Sequence, residues 1–213
     1  VTETWLTAAE RLAEAARDLG FNVAATVAAA WQARCDPDAT RPLVQAAHAL
    51  TGGDALPRLW DRVDPCPSAG NFLGDAEEHE AQAATLARQA RDLEKACSAA
   101  RDSALAEYEG ARQRAVQAQA RLASELPDAA AQAEIAAACD VMRAMQQVIA
   151  GCDAALEVAG ATRERLDYAA GCLRQAPEAL AEAYDMPLQL TRSGGTLPWN
   201  GDFLTGAQPG PSA

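Results

Sequence analysis

Residues 86–122 read LARQARDLEKACSAARDSALAEYEGARQRAVQAQARL, and this stretch decides the fold. Counting on from Leu86, positions 90, 93, 97, 100, 104, 108, 111, 115, 118 and 122 hold Ala, Leu, Cys, Ala, Ala, Tyr, Ala, Ala, Ala and Leu. Steps of three and four alternate almost throughout. That spacing lays one stripe of mostly small side chains along a helix, the pattern of a coiled-coil seam. From Asp75 to Glu125 there is no proline, and Gly110 is the single glycine. Asp75 and Glu78 have the spacing of a capping box, so a long helix is predicted over 75–125.

Downstream, Leu126-Pro127-Asp128 interrupts the pattern. Proline suits the first turn of a new helix and Asp128 its positive end. A second long helix is predicted over 128–175. Its seam reads Ile135, Cys139, Met142, Gln146, Ile149, Cys152, Leu156, Ala159, Leu166, Ala170 and Leu173, with Arg163 at one seam position. Two such helices joined by a tight turn form an antiparallel hairpin of roughly 75 Å, from a rise of 1.5 Å per residue. Gly110, Gly151, Gly160 and Gly171 each cost on the order of 1 kcal/mol inside a helix. They serve either as hinges or as points of close approach for another helix; the uninterrupted hairpin is the expectation. Pro177 is read as the start of a last short helix reaching about residue 185.

Upstream, residues 1–63 read as a small bundle of short helices. The first runs from about Thr2 to Leu19, with Trp5, Leu6, Ala9, Leu12, Ala16 and Leu19 at helical spacing and Gly20 as a left-handed cap. A second runs from Asn22, as cap, to Arg34, with Val23, Val27, Ala30 and Trp31 on one side. Asp36-Pro37 breaks the pattern. A third helix covers about 40–50 and ends at Gly52-Gly53, and a fourth runs from Asp54 to about Arg62. Pro, Gly and Ser mark 64–74 as a linker. The expected organisation is therefore an N-terminal domain over 1–63, a linker over 64–74, the hairpin with its short final helix over 75–185, and an extended tail over 186–213. The fold class is all-α.

Composition agrees. Hydrophobic residues make up 49% of the 213, yet aromatics only 5%, and alanine alone is roughly a quarter. Alanine loses no rotamer freedom in a helix but buries little area, so its seams must be close or long. Lys95 is the one lysine among 18 basic residues. With the alanine excess, this reads as a GC-rich coding bias, pointing to a high-GC bacterium or its phage or plasmid. The net charge of −12 argues against nucleic-acid binding, which needs a basic stripe. Arg112, Arg114 and Arg121 are read as a solvated helix face. No signal-peptide pattern or run of ~18 apolar residues is present, so the expectation is a cytoplasmic protein with no membrane partner. The six cysteines (35, 66, 97, 139, 152 and 172) include no tight pair and are read as reduced.

Signatures of catalysis are missing. No phosphate-binding glycine loop, GxSxG elbow or HExxH occurs. His79 lies among Glu77, Glu78 and Glu80, but position 76 is Ala76 and position 45, three before His48, is Gln45. The Glu-x-x-His pairs of a bundle metal centre are therefore not formed, and neither a metal nor a cofactor is expected. Acidic residues at a helix N-terminus account for the cluster.

The tail carries the candidate site. Its 28 residues, 186–213, hold four prolines and five glycines, too many for regular structure. Yet Leu197, Trp199, Phe203 and Leu204 are large apolar groups, and Asn200-Gly201 favours a tight turn. Such a segment either docks in a partner's groove or folds back on its own hairpin. Trp199-Asn200-Gly201 has the three letters of the Trp-x-Gly motif of small substrates of mycobacterial-type secretion systems. In that family, however, the motif lies in the interhelical turn, which here is 125–128. Its export signal, an acidic residue four after a tyrosine, is also missing: Arg112, Cys172 and Leu188 stand there. That membership is rejected.

The functional expectation is a non-catalytic structural or adaptor protein, engaging a protein partner or itself, a homo-oligomer being one form of this. The alternative is a regulatory binder of the immunity, antitoxin or inhibitor type that presents its acidic surface to a basic partner. A helical-bundle enzyme ranks last.

Overall fold

The computed structural model describes residues 4–32, 38–52, 72–124 and 129–183. Among these, four helices and no strand occur: α1 (Trp5–Gln32), α2 (Arg41–Thr51), α3 (Phe72–Ser124) and α4 (Ala129–Ala183). The fold is the expected all-α one, with α3 and α4 packed as an antiparallel helical hairpin. Ion pairs record the register: Arg101 with Asp153, Arg121 with Glu134 and Arg174 with Glu80 each join residues whose numbers sum to 254 or 255. No described helix is long and apolar enough to cross a membrane. The turn at 125–128, the fourth N-terminal helix expected over 54–62 and the tail over 186–213 lie outside the described residues.

Burial along both long helices follows a strict seven-residue repeat. On α3 the buried positions include 76, 83, 90, 97, 104, 111 and 118, all alanine except Cys97. On α4 they include 131, 138, 152, 159, 166, 173 and 180, with Met145 half-buried at the remaining step. A sustained heptad is the pattern of a left-handed supercoiled pair, and alanine at the repeat lets the backbones approach closely. The expected α3 seam holds at alternate members. Ala90, Cys97, Ala104, Ala111 and Ala118 are buried, and Leu86, Leu93, Tyr108 and Leu122 flank them half-buried. On the first half of α4 the expected seam is corrected by one residue. Cys139 and Gln146 are exposed, Ala138 is buried and Met145 is half-buried. Ile135, Met142 and Ile149, read as seam residues from the sequence, are half-buried.

The chain forms two compact units, 1–13 with 89–161 (the seam unit) and 14–88 with 162–213 (the four-helix unit). In the seam unit Ala9, Cys97, Ala155 and Ala159 form a small buried cluster flanked by Leu93, Leu156 and Val158. In the four-helix unit α1 supplies Leu19, Val23 and Val27, α2 supplies Leu43 and Leu50, and α4 supplies Leu166, Leu173 and Leu180. The contribution of α3 is Ala76, Ala83 and Ala87, so leucines of the other helices fill the space its methyl groups leave.

Two expected breaks are absent, and one helix start is moved. α1 runs unbroken through Gly20, where a cap and a new start at Asn22 were expected. A Cβ at Gly20 would stand 2.6 Å from Thr51 Cγ2 and 2.7 Å from Leu50 Cβ, so this glycine is where α2 crosses. The helix survives it because Leu19 and Val23 on either side are buried in the same core. α3 starts at Phe72, which puts Asp75 in its first turn rather than at its cap. α4 passes through Pro177 without ending. The missing N–H leaves the Leu173 carbonyl without its usual donor, but Leu173, Ala176 and Leu180 are all in the core and hold the helix there. Gly110, Gly151, Gly160 and Gly171 lie inside unbroken helices, as expected for an uninterrupted hairpin. The predicted end of α2 is found: Gly52, at φ 74°, returns its N–H to His48 O at 3.0 Å.

Candidate functional site

The sequence-predicted docking residues, Leu197, Trp199, Phe203 and Leu204, lie outside the described residues. Two other features carry polar or apolar groups that their own unit does not absorb.

The first is in the four-helix unit, where α1 and α3 run side by side. Thr26 is buried on α1 and donates its hydroxyl proton to Asn22 O, 3.2 Å away. The same Oγ1 lies 3.0 Å from His79 Nε2 on α3. With the single Thr26 proton directed at Asn22 O, the Nε2–H tautomer of His79 is the one that donates in this contact. Nε2 then carries the imidazole proton and Nδ1 is left as a bare acceptor. Nδ1 is buried with no hydrogen-bond partner. Burial pushes the His79 pKa below 6.5, although Asp75 and Glu78 pull it up. Burial likewise pushes the Asp75 carboxyl up, against the pull of His79 and with the help of Glu78. Beside this contact is an open groove of about 420 Å³, with Leu19 and Leu86 as its apolar lining and Asp18, Asn22, Gln82 and Thr85 as its polar one. Sequence reading took His79 as an ordinary acidic-cluster residue. Its partner is 53 positions away, and no local signal links the two.

The second feature is the outer surface of the seam unit. Leu105, Val116 and Val148 are exposed there, Val116 to 59%. By the 254 register Leu105 and Val148 stand at the same level of the helix pair. Arg101 Nε lies 2.6 Å from Asp153 Oδ1 just beyond them, in ion-pair contact though off-line for a hydrogen bond. These larger side chains thus lie outside a seam built mainly of alanine and cysteine.

The three buried thiols among the described residues are poorly set for nucleophilic work. Cys97, Cys152 and Cys172 are buried and Cys139 is exposed. Desolvation is the main cause raising the pKa of each buried thiol; Cys152 adds to it at Cys97, and Asp153 adds at Cys152. A thiolate is the reactive form, so burial of this kind disfavours attack. Cys35 and Cys66 lie outside the described residues. Among the described residues no group of three or more His, Cys, Asp or Glu could hold a metal ion. No family model, curated protein or solved structure matches the chain.

Proposed function

We propose that this is a non-catalytic structural or adaptor protein, bacterial or encoded by a phage or plasmid, that works in the cytoplasm by helix packing. One observation supports this above the others. The seam between α3 and α4 is closed by alanine and cysteine, while Leu105, Val116 and Val148 face solvent. Alanine buries too little area for the pair to gain much from its own seam. Covering the outer side chains with another helical surface adds the burial that the seam lacks. Partners are proteins, a second copy included, rather than nucleic acid or membrane. Leu197, Trp199, Phe203 and Leu204 of the tail form the second docking element in this reading.

Light scattering across a concentration series, on the full chain and on L105E/V148E, tests the first element. A pull-down with and without residues 190–213 tests the second. The expected results are a mass that rises with concentration in the parent chain only, and a partner lost with the tail. A full chain that stays monomeric and keeps every partner after both changes sinks the proposal.

The net charge of −12 favours a second reading, a regulatory binder that presents an acidic surface to a basic partner. Its affinity falls steeply as salt rises; salt-insensitive binding counts against it.

A further inference from the structure

We propose that the His79–Thr26 contact is an acid-sensitive latch that holds α1 on α3 within the four-helix unit while His79 is neutral. The unpartnered Nδ1 and the Thr26–Asn22 bond together favour one arrangement of protons, the Nε2–H tautomer of His79. In that arrangement Thr26 gives its own proton to Asn22 O and accepts from His79 Nε2, at 3.0 Å. In the neutral ring the buried Nδ1 is a lone pair and tolerates its lack of a partner. In the imidazolium it becomes an N–H donor in the same enclosed place, where nothing accepts it. The ring has one route to relief, which is to turn toward Asp75 or solvent and leave Thr26. Thr26, only 7% exposed, then loses the one side-chain tie this contact makes between α1 and α3.

The charges around the ring set the direction. Asp75 and Glu78 on α3 are the ionised groups whose fields reach it, and both favour the imidazolium, yet burial outweighs them. The neighbouring Glu80 is occupied by Arg174 of α4, with Nη2 at 2.9 Å. α1 brings Thr26 and Asn22 to the contact. Its nearest acid, Asp18, is roughly two turns away along the helix and lines the groove. From α2, His48 and Arg41 are exposed, and Arg41 is paired with Asp38. A histidine whose folded pKa lies below its unfolded value binds fewer protons when folded. Its share of stability is complete above the unfolded pKa near 6.5 and is lost as pH falls toward the folded pKa. Asp75, with a raised pKa, acts at lower pH and in the opposite sense, its ionisation costing stability as pH rises.

Two measurements on the full chain test the latch. The chain has two histidines, so NMR titration of their ring protons, assigned with H48Q, gives the His79 midpoint directly. It is expected below 6.5. Amide exchange is then followed over residues 22–30 of α1 from pH 7.5 to 5.0, corrected for intrinsic rates. Protection there is expected to fall by about tenfold for each full pH unit separating the unfolded from the folded midpoint. H79Q, which keeps an amide donor toward Thr26 but cannot titrate, is expected to abolish this loss, and H48Q to retain it. A His79 midpoint at or above 6.5 overturns the proposal even if H79Q fails to fold. So does a loss of α1 protection that persists in H79Q.

Discussion

Gly20 lies so close to Leu50 that a methyl group on its α-carbon would stand 2.7 Å from the Leu50 Cβ. The crossing of α1 over α2 therefore depends on a hydrogen where every other residue has a carbon. G20A gains about 1 kcal/mol of helix propensity, but forces α2 outward at an overpacking cost of about 1–3 kcal/mol. The expected result is net destabilisation, read as a lower denaturant midpoint at unchanged slope.

The glycines of the long helices predict the opposite sign. A Cβ at Gly110 or Gly151 meets nothing within 4 Å. G110A and G151A should each stabilise by about 0.5–1 kcal/mol. At Gly160 the added carbon lies 3.2 Å from Glu94 Oε1, the end of a flexible side chain, so G160A should be near neutral. A destabilised G110A in the same unfolding experiment would show that something approaches that position.

The seam sets its own size limit. Ala104 is 4% exposed at a heptad position, while its neighbour Ser103 is exposed. A104L should cost about 1–3 kcal/mol through overpacking, and S103L should stay within about 0.5 kcal/mol of the parent. Equal effects from the two would place the seam elsewhere.

Cysteine labelling reads the register of α4 directly. Cys139 is exposed, whereas Cys97, Cys152 and Cys172 are buried. Pulse labelling with a maleimide, mapped by peptide mass, should modify Cys139 within the first seconds and the other three only on denaturant unfolding. Protection of Cys139 alongside Cys152 would restore the seam read from sequence.

The contrast between those two seams shows what sequence carries. On α3 the inward residues are nearly all alanine, so period and composition agree, and the stripe could be traced from Leu86 to Leu122. On α4 they disagree. Ile135, Met142 and Ile149 repeat every seven residues and attract a seam to themselves, but the buried place level with Ala118 is taken by Ala138. Gly20 was misread for a related reason. The same letter serves a left-handed cap and a close crossing, and what separates them is Leu50, thirty positions on. The His79–Thr26 contact was illegible because neither residue signals the other. Pro177 was read as a start because its local cost is visible in sequence, while the burial of Leu173 and Leu180 that offsets it is not. The tail residues chosen as candidates, Leu197, Trp199, Phe203 and Leu204, lie outside the described residues.

Trp31 ties the end of α1 to the residue preceding α2. Its indole Nε1 donates to Thr40 Oγ1 at 2.8 Å, and Thr40 is fully buried. T40V should cost about 1–3 kcal/mol by stripping a part-buried donor of this acceptor. In a double-mutant cycle with W31F, the coupling should exceed 0.5 kcal/mol. Strictly additive single changes would remove the tie.

The seven-residue burial repeat also restricts how this hairpin can change length. One residue inserted into α3 turns everything beyond it by about 100° and carries the alanines off their line. A compensating single insertion in α4 does not bring them back. Only whole heptads, added on both sides of the turn together, keep a methyl group against a methyl group. Variation in length among chains of this design should therefore come in matched blocks of seven.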